Sequence, residues 1–316
     1  GVQTCALPIC TFVAAVAATA AARAAPAKQA QIAITLDLEM SRNFPTWETT
    51  HWDFEKGNLN AETIDYAVAA ARRVKERGGR IHFFVLGRTL EQENVAWLKQ
   101  LAVDGHLLGN HTYDHVNVRA TTAADIQFRF QRSPWLIAGR EPSTVIRENI
   151  RLTTEAMKSR LGVSPTGFRT PGGFAGGLAD REDLQKMLLD LGFRWVSSQY
   201  PGHKIGPEGE PPSDNILSAI DTAAAEAQPF RYPTGLVELP MSPISDIGAF
   251  RTGRWKLPWF LRAIQAGVER VIEQGGVYDF LGHPSCLDVT DPKFAAIDLI
   301  CDLVERAGPR AELSEL

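Results

Sequence analysis

From residue 31 onward, short apolar runs of strand length alternate with longer segments whose apolar residues recur at helical spacing. Gln31–Asp37 reads QIAITLD, a buried-strand run that ends in an acid. Ala61–Arg77 places Ile64, Ala67, Val68, Ala71 and Val74 at helical spacing, with Asn60 as N-cap and Gly78-Gly79 as a stop. Arg80–Leu86 reads as a second strand, Glu91–Val103 as a helix and His106–Gly109 as a short strand. Further helices are predicted over about 122–131 and 144–161 and at Arg181–Leu191, Lys256–Gln274 and Pro292–Arg306. Gly167–Arg169, Phe193–Ser198, Gly235–Leu239 and Val277–Leu281 read as extended, and 200–215 as a Pro/Gly-rich loop. Such alternation predicts an α/β fold with a parallel sheet covered by helices, and several units over roughly 280 residues suit a closed or distorted (β/α) barrel in a single domain.

In parallel barrels, chemistry gathers where strands end and loops begin. Three features stand there. The first strand ends Thr35-Leu-Asp37-Leu-Glu39, so two carboxylates two residues apart project to one face of an extended chain. His111-Thr-Tyr-Asp-His115, after Gly109-Asn110, sets two histidines four apart, a spacing that lets one helical turn grip a metal ion. Two histidines and one carboxylate with open positions make a catalytic rather than a structural metal site. The third is His283, which closes Leu281-Gly-His283 at the end of the last strand. His51, His82, His106 and His203 have no such company and read as structural or surface residues.

These residues carry a resemblance. Phe83-Phe-Val-Leu-Gly87 through Asp104-Gly-His-Leu-Leu-Gly-Asn-His-Thr-Tyr-Asp-His115 resembles the F-F-V-x-G … G-H-x-x-G-N-H-[ST]-x-x-H segment of the polysaccharide deacetylase (NodB-homology) family, carbohydrate esterase family 4 in the wide sense. Gly167-Phe-Arg-Thr-Pro-Gly-Gly173 is similar to the family's F-R-x-P-[YF]-G motif, and Leu281-Gly-His283 to its L-x-H motif. The likeness runs over roughly residues 32–305. It implies a distorted (β/α) barrel and a divalent metal, most often zinc with cobalt or nickel as alternatives, that serves removal of N- or O-acetyl groups from glycans. It further implies His111 and His115 as metal ligands, Asp37 as general base and Arg169 as the group that orients the base. The N–H of Gly172 would contribute to an oxyanion site, Leu281 would line the acetyl pocket and His283 would be the general acid.

The chain departs from the family pattern twice. Where the usual first motif is T-F-D-D, the second Asp position holds Leu38, so the chain resembles members with D-x-D or D-x-E and Glu39 becomes the third ligand. The roles of Asp37 and Glu39 could also be the reverse. The D-x-x-D-W motif, whose acid pairs with the catalytic histidine, is missing from Phe193-Arg-Trp-Val-Ser-Ser198, which leaves Glu238 or Asp246 as that partner.

The function expected is metal-dependent deacetylation of a polysaccharide or cell-wall glycan. Two alternatives stand beside it: a C–N hydrolase of small amides or cyclic ureides on the same barrel, and a glycan-binding pseudoenzyme. Phe44, Trp47, Trp52 and Phe54 in loop 40–59 form either a substrate wall for sugar rings or a rim packed on the barrel. Lys and Arg number 33 against 37 Asp and Glu, a net charge of −4 with no basic cluster, so nucleic acid is not an expected partner. No apolar run approaches the ~20 residues that span a bilayer.

The N-terminus is of another kind. Residues 1–9, GVQTCALPI, match one reading frame of a common sequencing adapter residue for residue and are set aside as a library artefact. Residues 10–27 are apolar and Ala-rich with A-x-A cleavage candidates, read as the remnant of a secretory signal. The expected location is therefore outside the cytoplasm, periplasmic or extracellular, with the catalytic domain at 30–310. In an exported chain Cys286 and Cys301 could form a disulfide, a pairing that sequence leaves open, as it does the oligomeric state.

Overall fold

A computed structural model of the protein describes residues 28–41 and 56–316. The adapter and leader assignments, and the aromatics Phe44, Trp47, Trp52 and Phe54, lie outside the described residues.

The run that reads AQIAITLDL forms β1 (Ala30–Leu38), buried at every position but Gln31. A strand apolar on both faces belongs at the centre of a covered parallel sheet, and β1 sits there. In chain order the other strands are β2 (Ile81–Val85), β3 (Leu107–Asn110), β4 (Phe168–Phe174), β5 (Trp195–Gln199), β6 (Phe230–Arg231), β7 (Val237–Glu238), β8 (Val277–Gly282) and β9 (Ala311–Ser314). The sheet order is β6-β7-β5-β4-β3-β2-β1-β8, parallel throughout except for the antiparallel β6–β7 pair. On β1, Ile34–Leu38 pairs with β2 while Ala30–Ala33 pairs with β9, so the last strand completes the edge that β2 does not reach.

Between the ends of the sheet, segment 239–242 spans the gap. Leu239 and Met241 donate backbone hydrogen bonds to Val196 and Gln199 next to or within β5, and Ser242 N donates to Asp279 O of β8 at 2.7 Å. The result is a curled, distorted (β/α) barrel in one domain, as expected. Helices 61–76, 257–274 and 295–307 pack their apolar faces on β1, β2 and β8 to form the larger core. A second cluster, including Val116, Ile146, Phe168 and Val196, underlies segment 116–150 and β4–β5.

Several boundaries move. The helix expected over Glu91–Val103 begins only at Ala96, after a tight 3₁₀ stretch at Gly87–Glu91; Asn94 Oδ1 takes the Ala96 N–H. The 122–131 helix is two short pieces, Ala123–Ile126 and Phe128–Arg132, because Gln127 is extended and caps the second piece with its side chain. Helices Asp214–Glu226 and Pro284–Thr290 and strands β6 and β9 are additional. Cys286 and Cys301 are buried free thiols.

Candidate metal and catalytic site

Asp37 is the penultimate residue of β1, and Glu39 follows at a bend where its N–H bonds the Asp37 carbonyl at 3.0 Å. Both carboxylates are buried and both face one cavity of about 340 Å³ at the C-terminal ends of the strands. His111, His115, Gly172, Leu281 and His283 line the same cavity.

His111 and His115 do not share a helical turn as the spacing suggested. They lie on an irregular loop after β3 in which Thr112 (φ 64) and His115 (φ 58) are left-handed. Side chains take the amides that a helix would have bonded internally: Asn110 Oδ1 accepts from Thr112 N, and Asn149 Oδ1 accepts from Tyr113 N and Asp114 N. The loop still brings the imidazoles together, with ring centroids 5.3 Å apart.

Glu39 Oε2 lies 2.6 Å from His115 Nε2 and 3.6 Å from His111 Nε2. The three ligand atoms lie within 4.8 Å of one another. His111 Nδ1–H donates to the Arg169 carbonyl at 3.0 Å, which leaves the Nε2 lone pair facing Glu39. Burial pushes the His115 imidazole down to about 4, so it is neutral near pH 7 and fit to ligate. Burial opposes ionisation of Glu39, but the neighbouring His115 and Lys56 outweigh it and hold its carboxyl well below the usual range. Glu39 Oε2 is buried without an aligned hydrogen-bond donor. Two imidazoles and an anionic oxygen short of a partner fit a divalent cation of the zinc type. Glu39 Oε1 is meanwhile paired with Lys56 Nζ at 2.7 Å.

Asp37 has different company. Its Oδ1 accepts from Arg169 Nη1 at 3.0 Å, while Oδ2 faces His111 Nε2 at 3.7 Å and His283 Nε2 at 3.9 Å. Arg169 is wholly buried, stacked on Phe84 with its guanidinium carbon 4.1 Å from the ring centre. It also bonds the Thr35 hydroxyl, Ser197 Oγ and the Asp279 carboxylate. Asp279 was not singled out from the sequence, although an acid inside the apolar run VYDFL signals a buried ionic partner. Burial raises its carboxyl despite the guanidinium beside it.

Of the two acids considered for His283, Asp246 is in contact with it. Its Oδ1 accepts from His283 Nδ1–H at 2.8 Å and its Oδ2 from the His283 backbone N–H at 2.7 Å. Burial would lower the imidazole, but the Asp246 charge and hydrogen bond outweigh it, with Asp37 and Glu39 adding, and the net shift is upward. Glu238 is elsewhere: its carboxylate takes Ser198 N, Ser198 Oγ, Gln199 N and the Tyr232 hydroxyl. Glu238 is a buried tie between β5 and β7, and the assignment to His283 is withdrawn. Gly172 (φ 76) borders the cavity in a conformation that side chains rarely adopt, and a Cβ on Gly173 would fall 2.3 Å from Tyr200 Cβ.

The arrangement sets a trio that could hold a metal ion beside a braced carboxylate with one free oxygen and an imidazole whose Nε2 faces both. Residues 54–195 match the family model for polysaccharide deacetylase. The matched segment contains His111, His115 and Arg169; the first strand and His283 lie outside it. Among solved structures, a protein assigned as a polysaccharide deacetylase from Mycobacterium smegmatis is similar over 91% of this chain and 87% of its own, with TM-score 0.58 and 16% identity. Another so assigned, from Pseudomonas aeruginosa PAO1, aligns over 90% and 88% (TM-score 0.57, 11% identity). The PuuE allantoinase aligns over 92% and 89% (TM-score 0.56, 11% identity). At these identities the structural likenesses establish the fold. No curated protein sequence matches this chain. Among the described residues no helix is long and apolar enough to cross a membrane.

Proposed function

We propose that the protein is a metal-dependent deacetylase that removes acetyl groups from a glycan, a member of the polysaccharide deacetylase family of the D-x-E kind. The observation that carries this reading is the single cavity lined by Glu39, His111 and His115, by Asp37 braced on Arg169, and by His283 braced on Asp246. Glu39, His111 and His115 would hold a divalent metal, which when bound supplies a Lewis acid and lowers the pKa of water. Asp37 Oδ2, with Arg169 fixing Oδ1, would accept the proton of an attacking water. His283, held protonated by Asp246, would give a proton to the leaving amine or alcohol through Nε2. Leu281 offers the acetyl methyl an apolar wall, and the Gly172 N–H borders the place where oxyanion charge develops. The Ala-rich leader adds the expectation of an exported enzyme, which suits a glycan substrate.

The same groups serve hydrolysis of a small amide or cyclic ureide, the second reading, to which the allantoinase likeness in fold is compatible. One experiment separates them: release of acetate from chitin oligomers, peptidoglycan, acetylxylan and exopolysaccharides beside turnover of a ureide panel, with and without chelator. The proposal expects acetate from at least one glycan, abolished by chelator and restored by added metal. Turnover confined to ureides would replace it with the second reading.

A further inference from the structure

Among the described residues, the charged groups of the cavity are compensated in pairs, with one exception. Asp37 is matched by Arg169, Glu39 by Lys56 and His283 by Asp246. Arg251 also lines the cavity, half-buried, and among the described residues no carboxylate lies in ion-pair distance of it. A guanidinium drawn partly out of water without a counter-charge leaves a local positive potential, and in a concave wall that potential acts on whatever enters.

Its placement is fixed by an uncommon element. Ile247–Thr252 is a turn of π-helix, in which Gly253 N bonds Gly248 O at 3.0 Å. Such turns recur at functional sites. Here Ile247, Gly248, Arg251 and Thr252 all face the cavity, while Ala249 and Phe250 anchor the turn in the core. Asp246, which holds His283, is the residue that caps this turn. The partner of His283 and Arg251 therefore sit on one short piece, so an anion held by Arg251 would be registered directly against His283.

We propose that Arg251 recognises a carboxylate of the substrate, so that the preferred substrate is an acetylated glycan unit that is itself acidic, such as one bearing a uronic or ether-linked carboxylic acid. The guanidinium fork matches a carboxylate in two parallel N–H···O bonds. The cavity, at about 340 Å³, is at the small end of ligand sites and suits one such unit rather than a long stretch of chain. This rests on the deacetylase reading above for the chemistry, but the binding of an acid does not depend on turnover.

The test therefore has two arms. In the first, calorimetry on chelator-treated protein compares a uronic-acid dimer with its uncharged hexose counterpart. The uronate should bind at least tenfold more tightly, the difference should shrink as salt rises, and it should vanish in Arg251→Gln and persist in part in Arg251→Lys. In the second, kcat/KM is measured on acetylated acidic and acetylated neutral oligomers. The acidic-to-neutral ratio should exceed ten in the wild type and fall toward one in Arg251→Gln, mainly through KM. Equal affinity for the two dimers in the wild type overturns the proposal, as does an Arg251→Gln variant, folded by its melting point, that keeps the preference. If uronate binds through Arg251 but no glycan is deacetylated, the deacetylase reading fails while the acid-binding role of Arg251 stands.

Discussion

Asp37 and Glu39 are both buried acids two residues apart, yet their surroundings differ in kind. Asp37 has one oxygen committed to a fixed cation, Arg169, and the other facing imidazoles at nearly 4 Å. Glu39 has Oε1 on Lys56 and Oε2 facing His115 and His111. The first pattern suits a base, which must exchange a proton from a fixed position; the second suits a ligand, which need only donate a lone pair of Oε2. Asp37→Asn is thus expected to retain metal but lose roughly 10²–10⁴-fold in kcat. Glu39→Gln is expected to bind metal more weakly, with its rate partly restored by excess metal. Metal content after dialysis, measured beside kcat, checks both; metal lost from Asp37→Asn and kept in an inactive Glu39→Gln would exchange the roles. That Asp37, Glu39, His111, His115 and His283 meet at one place, with Arg169 beside Asp37, was legible in sequence because motif spacing concentrates them at strand ends. Asp279 and Arg251 were not: the partner of Asp279 is 110 residues distant, and what sets Arg251 apart is that among the described residues no carboxylate pairs with it.

At the scale of elements, the histidine loop decides whether the site exists. His111 and His115 are four positions apart, and that spacing suggested a helical turn; two left-handed residues and four backbone amides bonded to side-chain oxygens build an irregular loop in its place. Asn149, reaching over from helix Pro142–Leu161, takes two of the amides with one oxygen. Removing it leaves two donors without a partner at about 1–3 kcal/mol for each that is buried. Asn149→Ala should therefore lower the melting point and weaken metal binding at least tenfold, although no ligand is touched. An unchanged metal titration would show that the loop holds its shape without this clamp. The same local blindness explains the missed helix Asp214–Glu226. Its core-facing Leu217, Ile220 and Ala224 keep helical spacing, but they follow a Pro/Gly-rich stretch and are diluted by alanines.

For the whole molecule, the alternation of strand and helix patterns was enough to predict the barrel, since right-handed β-α-β units have few ways to close. What it could not convey is how the barrel is held from within. Arg169 on β4 reaches β1 through Thr35 and Asp37, β5 through Ser197 and β8 through Asp279, and it stacks on Phe84 of β2. On β2 itself, His82 is buried, stacked on Phe84 with ring centres 4.6 Å apart, its Nε2 3.1 Å from the Thr166 hydroxyl and its Nδ1 without a partner. Burial, with Arg169 adding, lowers this imidazole to about 3. In the unfolded chain it would titrate at about 6.5. Between those two values the unfolded state therefore binds one more proton, so stability rises with pH there and is lost as pH falls below about 6.5. One proton corresponds to a slope of about 1.4 kcal/mol per pH unit. His82→Gln can still meet the Thr166 hydroxyl but takes up no proton. Urea unfolding of chelator-treated protein at several values between pH 4 and 6.5 should give a curve of stability against pH that is shallower for the variant by about that one-proton slope, whatever its stability at neutral pH. Equal slopes would mean that His82 is already protonated in the folded barrel, and that the pocket between Phe84 and Thr166 accommodates a charge.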